Sequence, residues 1–241
     1  MLTSVRSLMA ATVLAGSAFV AAPAAAQEVD ISANAAIVSE YRFRGVDLSG
    51  GNIAIQGGVD AAIGGFYIGT WGSSLDENTV GYGHTELDIY AGWGTDISDT
   101  MSFDIGVLAY LYPNAGPGDF DYIEFYSSVT AALGPAEATV GVAYAPDQDS
   151  LGGTDNFYIY TDLGIGIPDS PVSITGHVGY TDGFLTFTNN SKAFDWSVGL
   201  DVALGDTLSV GVAYIGAEGD IVAPAYDFTD DTVVVTLAAS F

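Results

Sequence analysis

The sequence predicts an all-β protein: a single antiparallel up-and-down transmembrane β-barrel of about twelve strands, with short periplasmic turns and long extracellular loops. Three observations predict it. Apolar and polar residues alternate with period 2 from the end of the leader to the C-terminus, and no helical period competes. Long and short links between the alternating runs succeed one another strictly. The acidic residues inside the runs keep to the phase opposite Ile, Leu, Val and Phe.

The first 26 residues stand outside the pattern. Arg6, an apolar run over 8–22, and Ala24 and Ala26 in A-x-A spacing before Gln27 read as a cleavable signal peptide, which leaves 27–241 as the barrel domain. That remainder sets 30 acids against Arg42, Arg44 and Lys192, so nucleic acid is not an expected partner. Yet the chain is 49% hydrophobic. Both hold together where apolar side chains face lipid and acids face water, inside a pore or in loops. With no cysteine there is no disulfide framework and no thiolate metal site, and no cofactor is expected. No apolar run beyond the leader nears the roughly 18 residues of a spanning helix, so any crossing falls to strands.

The first hairpin is read from SEYRFRGVDLSGGNIAIQGGVD, residues 39–60. Ile37, Ser39, Tyr41 and Phe43 share one face, and Val38, Glu40, Arg42 and Arg44 the other. Past a glycine-rich connection, Ile53, Ile55, Gly57 and Val59 alternate with Asn52, Ala54, Gln56 and Asp60. Gly64-Gly65 turns the chain into 66–73, and a long polar link leads to 85–94, where Leu87, Ile89, Ala91 and Trp93 oppose Glu86, Asp88 and Tyr90. A short turn precedes 101–112, with Asp104, Leu108 and Tyr110 opposite Phe103, Ile105 and Val107. PNAGPGDF leads to 121–133, and Gly134-Pro135 turns into 136–144. APDQDSLGGTD then introduces 156–167, PDSP turns into 172–181, and a loop with Lys192 precedes 194–204. Gly205-Asp206 turns into 207–215, the longest and most acidic loop follows, and TVVVTLAASF ends the chain.

Glu40, Asp60, Glu86, Asp88, Asp104, Glu124, Glu137, Asp162, Asp195 and Asp201 all fall in the polar phase of these runs. A one-residue slip would turn a strand's whole polar set toward lipid. Charge there costs about 2–4 kcal/mol for Arg at the midplane and less for Asp or Glu. An exported β-sandwich also alternates, but it leaves sheet edges open and gives no reason for regular link lengths. Nor does it explain the final Phe241, since a C-terminal aromatic resembles the signal by which the barrel assembly machinery recognises outer-membrane proteins.

The segments SEYRFRGVDLSGGNIAIQGGVD and FYIGTWGSSLD, followed by LDIYAGW, resemble the N-terminal signature of the TorF family of porins, exported proteins of Gram-negative bacteria. The likeness is most specific over 37–94 and implies an outer-membrane barrel that passes small solutes. It carries over no catalytic residues.

The expected pore lining holds the charged residues Glu40, Arg42, Arg44, Asp60, Glu86, Asp88, Asp104, Glu124, Asp162 and Asp201. Tyr67, Trp71, Tyr90, Tyr110, Tyr122, Tyr126, Tyr158, Tyr160 and His177 take the same inward phase. Arg42 and Arg44, two apart on one strand, read either as half of a charge constriction or as ties between the walls. The tyrosines either bind cations or hydroxylated solutes, or fill and stiffen the barrel. Twelve strands lie between the filled barrels of about 8 and the open channels of 16–18, so the sequence leaves undecided whether the lumen is open or plugged by the last loop. His177 and His84 show neither the His–Ser nor the Asp–His pattern of barrel hydrolases, and no G-x-S-x-G, H-E-x-x-H or phosphate-loop motif appears. Asp147, Asp149 and Asp155, and Glu218, Asp220, Asp227, Asp230 and Asp231, read as a solvated acidic rim, with divalent ions bridging to lipopolysaccharide phosphates as the alternative. The function expected is a passive, narrow, cation-preferring channel in contact with outer-membrane lipid. The alternatives are a closed barrel serving as envelope scaffold or binding protein, and thirdly a barrel enzyme acting on lipid or peptide.

Overall fold

The computed structural model describes residues 29–79, 81–219 and 227–241. The leader expected over 1–26, and Asp220, lie outside them. The strands are β1 (Asp30–Val38), β2 (Arg42–Phe43), β3 (Val46–Asp47), β4 (Ala54–Ile63), β5 (Phe66–Ser74), β6 (Thr85–Ser98) and β7 (Met101–Leu111). They continue with β8 (Tyr122–Leu133), β9 (Ala136–Gln148), β10 (Thr154–Gly166), β11 (Val172–Gly183), β12 (Lys192–Leu204), β13 (Leu208–Ala217) and β14 (Thr232–Ser240).

Among the described residues, twelve of these strands close into one barrel: β4 to β14 pair in sequence order, and β1 joins β14 to β4. Every barrel pairing is antiparallel. The closing seam runs from Asn34 opposite Ser240 to Val38 opposite Thr236. It is finished by Phe241, whose N–H donates to the Ala33 carbonyl at 2.9 Å while the Ala33 N–H donates back at 3.1 Å. Closure gives every strand two neighbours, which a sheet in hydrocarbon requires because no water is there to satisfy a free edge. The outer surface presents exposed Ile31, Ile55, Ile68, Ile105, Phe125, Val140, Val198 and Leu200 in the outward phase of their strands. Water does not tolerate such a belt; lipid does.

At one end the strands are joined by short turns, such as Gly64-Gly65, where φ of 55° and 89° meets the left-handed demand of a two-residue hairpin. At the other end the links are long, and the first of them corrects the sequence reading. The alternation across 37–44 reads as wall, but β1 starts at Asp30 and leaves the wall after Val38. Residues 39–53 fold into the barrel as a plug. Arg42 pairs with Asp47 and Phe43 with Val46 in a two-stranded ribbon, turned at Arg44 and Gly45 with φ of 49° and 76°. Tyr41 and Phe43, expected to face lipid, are buried in the lumen. A strand in a wall and a ribbon in a lumen share period 2, so the local pattern does not separate them. The plug sits close to the wall: a Cβ on Gly45 would come within 2.5 Å of the Gly216 carbonyl oxygen on β13.

Candidate functional site: a lumen in two halves

In the half nearest the long loops the plug fills the barrel. Tyr41, Phe43, Val46 and Leu48 pack with wall residues Val38, Tyr110, Tyr122, Ile215 and Val234 in one buried cluster. Tyr110 stacks on Tyr122 with centroids 4.4 Å apart, and Phe43 meets Tyr110 edge-on at 5.6 Å. Asp47 holds the return path, accepting the backbone N–H groups of Ser49 and Gly51 at 2.7 Å each. Phe228, just before β14, also meets the plug: its carbonyl accepts the Asp47 N–H at 2.8 Å and Arg42 Nη1 at 3.0 Å.

Both plug arginines are already matched. Arg42 pairs with its neighbour Glu40 in the same loop. Burial pushes the Glu40 carboxyl above its usual value, while the Arg42 charge pulls the other way. Arg44 reaches β8, donating from Nη2 to both oxygens of Glu124 at 2.7 and 2.8 Å. Its guanidinium lies 4.1 Å over the ring of Tyr158 on β10. The expectation of two arginines side by side on one strand is thus corrected. They diverge from a loop, Arg44 lies 2% exposed at its side chain, and Asp60 accepts the Tyr90 hydroxyl at 2.5 Å.

Tyr158 connects the plug to a second cluster. Its hydroxyl lies 2.8 Å from His177 Nε2 and donates to Asp195 at 3.1 Å. His177 stands between two carboxylates, with Nδ1 2.5 Å from Asp162 and Nε2 2.9 Å from Asp195. Three adjacent strands, β10, β11 and β12, bring these groups together, and no local Asp–His pattern announces them because the partners are 15 and 18 positions away. Neither ring nitrogen is free to take a proton from a substrate, so the arrangement suits a structural knot rather than a general base.

Toward the turns the lumen is lined differently. Tyr67 donates to Asp104 at 2.9 Å and lies 2.6 Å from the Tyr126 hydroxyl, and Tyr90 holds Asp60. Asp104, Tyr126, Tyr160 and Asp162 remain partly exposed, and Asp201 is buried on β12. The tyrosine rings lie against glycines of neighbouring strands. A Cβ on Gly69 would meet Tyr90 at 2.5 Å, on Gly92 Tyr67 at 2.3 Å, on Gly106 Tyr126 at 2.4 Å and on Gly141 Tyr160 at 2.3 Å. Glycine here is what lets a large ring lie flat on the wall. The inward phase of these glycines beside tyrosine is the sequence signal for this packing.

Glu137 also takes the inner phase, near its turn. At the loop rim, Gly152 and Gly153 adopt φ of 68° and 70°, and Asp155 accepts the Tyr144 hydroxyl at 3.1 Å. His84 contacts Thr85 at 3.0 Å. Among the described residues no three Asp, Glu or His side chains converge as a metal site.

This geometry has relatives in solved structures. The KdgM porin aligns with TM-score 0.57 at 7% identity, over 87% of this chain and 98% of its own. A structure titled KdgM porin in complex with disordered oligogalacturonate aligns equally, over 88% and 97%. At such identity the likeness is one of fold. No curated protein matches the chain. A family model matches residues 21–241, and the chain belongs to that family, described as bacterial protein of unknown function (Gcw_chp).

Proposed function

We propose that the protein is an outer-membrane porin: a passive, narrow, cation-preferring channel for small solutes, constricted at its outer end by the plug of residues 39–53. Residues 1–26 direct export, the long loops face outward among lipopolysaccharide, and Phe241 serves the barrel assembly machinery. The observation that carries the reading is the charge of the lumen. Asp60, Asp104, Asp162 and Asp201 line its wall below the plug, while both lumen arginines are spent on Glu40 and Glu124. An acidic wall raises local cation concentration and repels anions. The fold shared with porins and the resemblance of residues 37–94 to TorF porins support the same reading. In this lumen, unlike a site built for an anionic saccharide such as that in the KdgM complex, each arginine already faces a carboxylate of the chain itself.

The test is single-channel conductance of refolded residues 27–241 in a planar bilayer under a KCl gradient. Ohmic steps with a potassium-selective reversal potential are expected; a permeability ratio favouring chloride overturns the preference. The close packing of the plug favours a second reading, a closed barrel acting as scaffold or binding protein. Its mark is silence from folded protein, both intact and with the plug removed.

A further inference from the structure

Among the described residues, five carboxylates are buried around the plug, and they are unequally served. Glu40 has Arg42, Glu124 has Arg44 Nη2 on both of its oxygens, and Asp47 has two backbone N–H groups and the Ser49 hydroxyl. Glu86 and Asp88 have no such match. Glu86 receives one neutral hydrogen bond, from Tyr41 to Oε1 at 3.0 Å, and its Oε2 is buried without a partner. Asp88 Oδ1 is in the same condition. The two residues are 1% and 7% exposed.

They stand two apart on β6, so their side chains leave the same face about 6.6 Å apart along the strand. That face is the one the plug covers: Tyr41 lies on Glu86 and packs edge-on against Trp71, the residue paired across the ladder with Asp88. A carboxylate taken out of water costs several kcal/mol unless it is matched, and two on one face also repel each other. The chain's own cations are engaged elsewhere. Arg42 pairs with Glu40, Arg44 pairs with Glu124 through Nη2 alone while its Nε and Nη1 stay buried without a partner, His177 lies between Asp162 and Asp195, and Lys192 meets Asp182 at 3.0 Å on the exposed rim.

We propose that Glu86 Oε2 and Asp88 Oδ1 hold a hard inorganic cation, an alkali or alkaline-earth ion, between them in a site that Tyr41 of the plug closes. Carboxylate oxygens select such ions over soft ones. With no third Asp, Glu or His converging, the ion keeps part of its hydration. Because Tyr41 is bonded to the same carboxylate, the ion and the seated plug stabilise one another, as any ligand stabilises the state that binds it. The inference does not depend on the channel reading, since it is read by binding and stability without conductance.

Refolded residues 27–241 in zwitterionic detergent are to be unfolded thermally in NaCl, KCl, CaCl2 and MgCl2 and in N-methylglucamine chloride at matched ionic strength. Ion stoichiometry is followed by equilibrium dialysis with radioactive sodium and calcium. The expected result is a higher unfolding temperature in at least one inorganic salt and one tightly bound equivalent. That equivalent is lost in the Glu86→Gln/Asp88→Asn double variant and kept in an Asp147→Asn/Asp149→Asn rim variant. Equal unfolding temperatures across all salts mean that the pair holds a proton or water instead, and overturn the proposal. So does a double variant that retains the equivalent. Should the double variant not refold, Asp88→Asn alone carries the test, with at least a tenfold loss of affinity expected and unchanged affinity overturning the proposal.

Discussion

The two halves of the lumen share one wall and one phase rule, yet they treat charge in opposite ways. Near the loops, Glu124 is 1% exposed and matched by an arginine brought from outside the wall. Near the turns, Asp104 keeps contact with water and is served by a neutral hydroxyl from Tyr67. The wall pattern decides that a carboxylate points inward. What lies opposite decides whether that carboxylate becomes part of a packed core or part of a polar passage. A buried pair is sensitive to loss of either partner, whereas a partly wet carboxylate has water in reserve.

Removing the plug is expected to have the largest effect on the difference between the two halves. Replacing residues 42–47 with a short Gly-Ser linker is expected to raise single-channel conductance several-fold while the barrel still shows heat-modifiable gel migration. An unchanged conductance would mean that the narrowest point lies in the tyrosine-lined half. Next, Arg44→Ala strands Glu124 in a buried setting, and an unfolding cost of about 3–5 kcal/mol is expected from denaturant titration in detergent. A loss below about 1 kcal/mol would show that the loop half is wetter than its packing implies.

In the other half the effects are smaller. Gly141→Ala sets a methyl against the Tyr160 ring, costing about 1–3 kcal/mol by overpacking and lowering conductance as the ring swings toward the axis. Conductance equal to wild type would show that this ring does not border the passage. Smallest of all, Asp104→Asn keeps a partner for Tyr67 and is expected to change stability by less than about 1.5 kcal/mol. Its reversal potential should move toward chloride. If Asp104→Asn cost as much as Arg44→Ala, the division into a packed and a polar half would fail.

Much of the wall was legible because its signal is local. The runs holding Leu87 and Ile89, or Trp196 and Val198, alternate without interruption, and their links were placed within a few residues of the observed turns. The inward phase of Asp60, Glu86, Asp88, Asp104, Glu124, Asp162 and Asp201 was legible for the same reason. Glu40, Arg42 and Arg44 lie in the plug and not on the wall strand expected for them, since the plug ribbon alternates as a wall strand does. The Arg44–Gly45 turn and Asp47, which caps the return of the loop, were the residues that marked the departure. His177 was seen to point inward, and its two carboxylates were not assigned to it.

The wall follows from the order of residues alone: twelve alternating runs, an apolar outer face, an acidic inner one, and links that are short at one end and long at the other. Period 2 is a property of neighbouring residues, and lipid penalises every slip of it. The tertiary structure alone decided that the first long link turns inward, that Arg44 meets Glu124 across 80 positions, and that the tyrosines lie down on glycines of other strands. Those choices depend on what the closed barrel places face to face across its lumen, and no stretch of the chain records its opposite side.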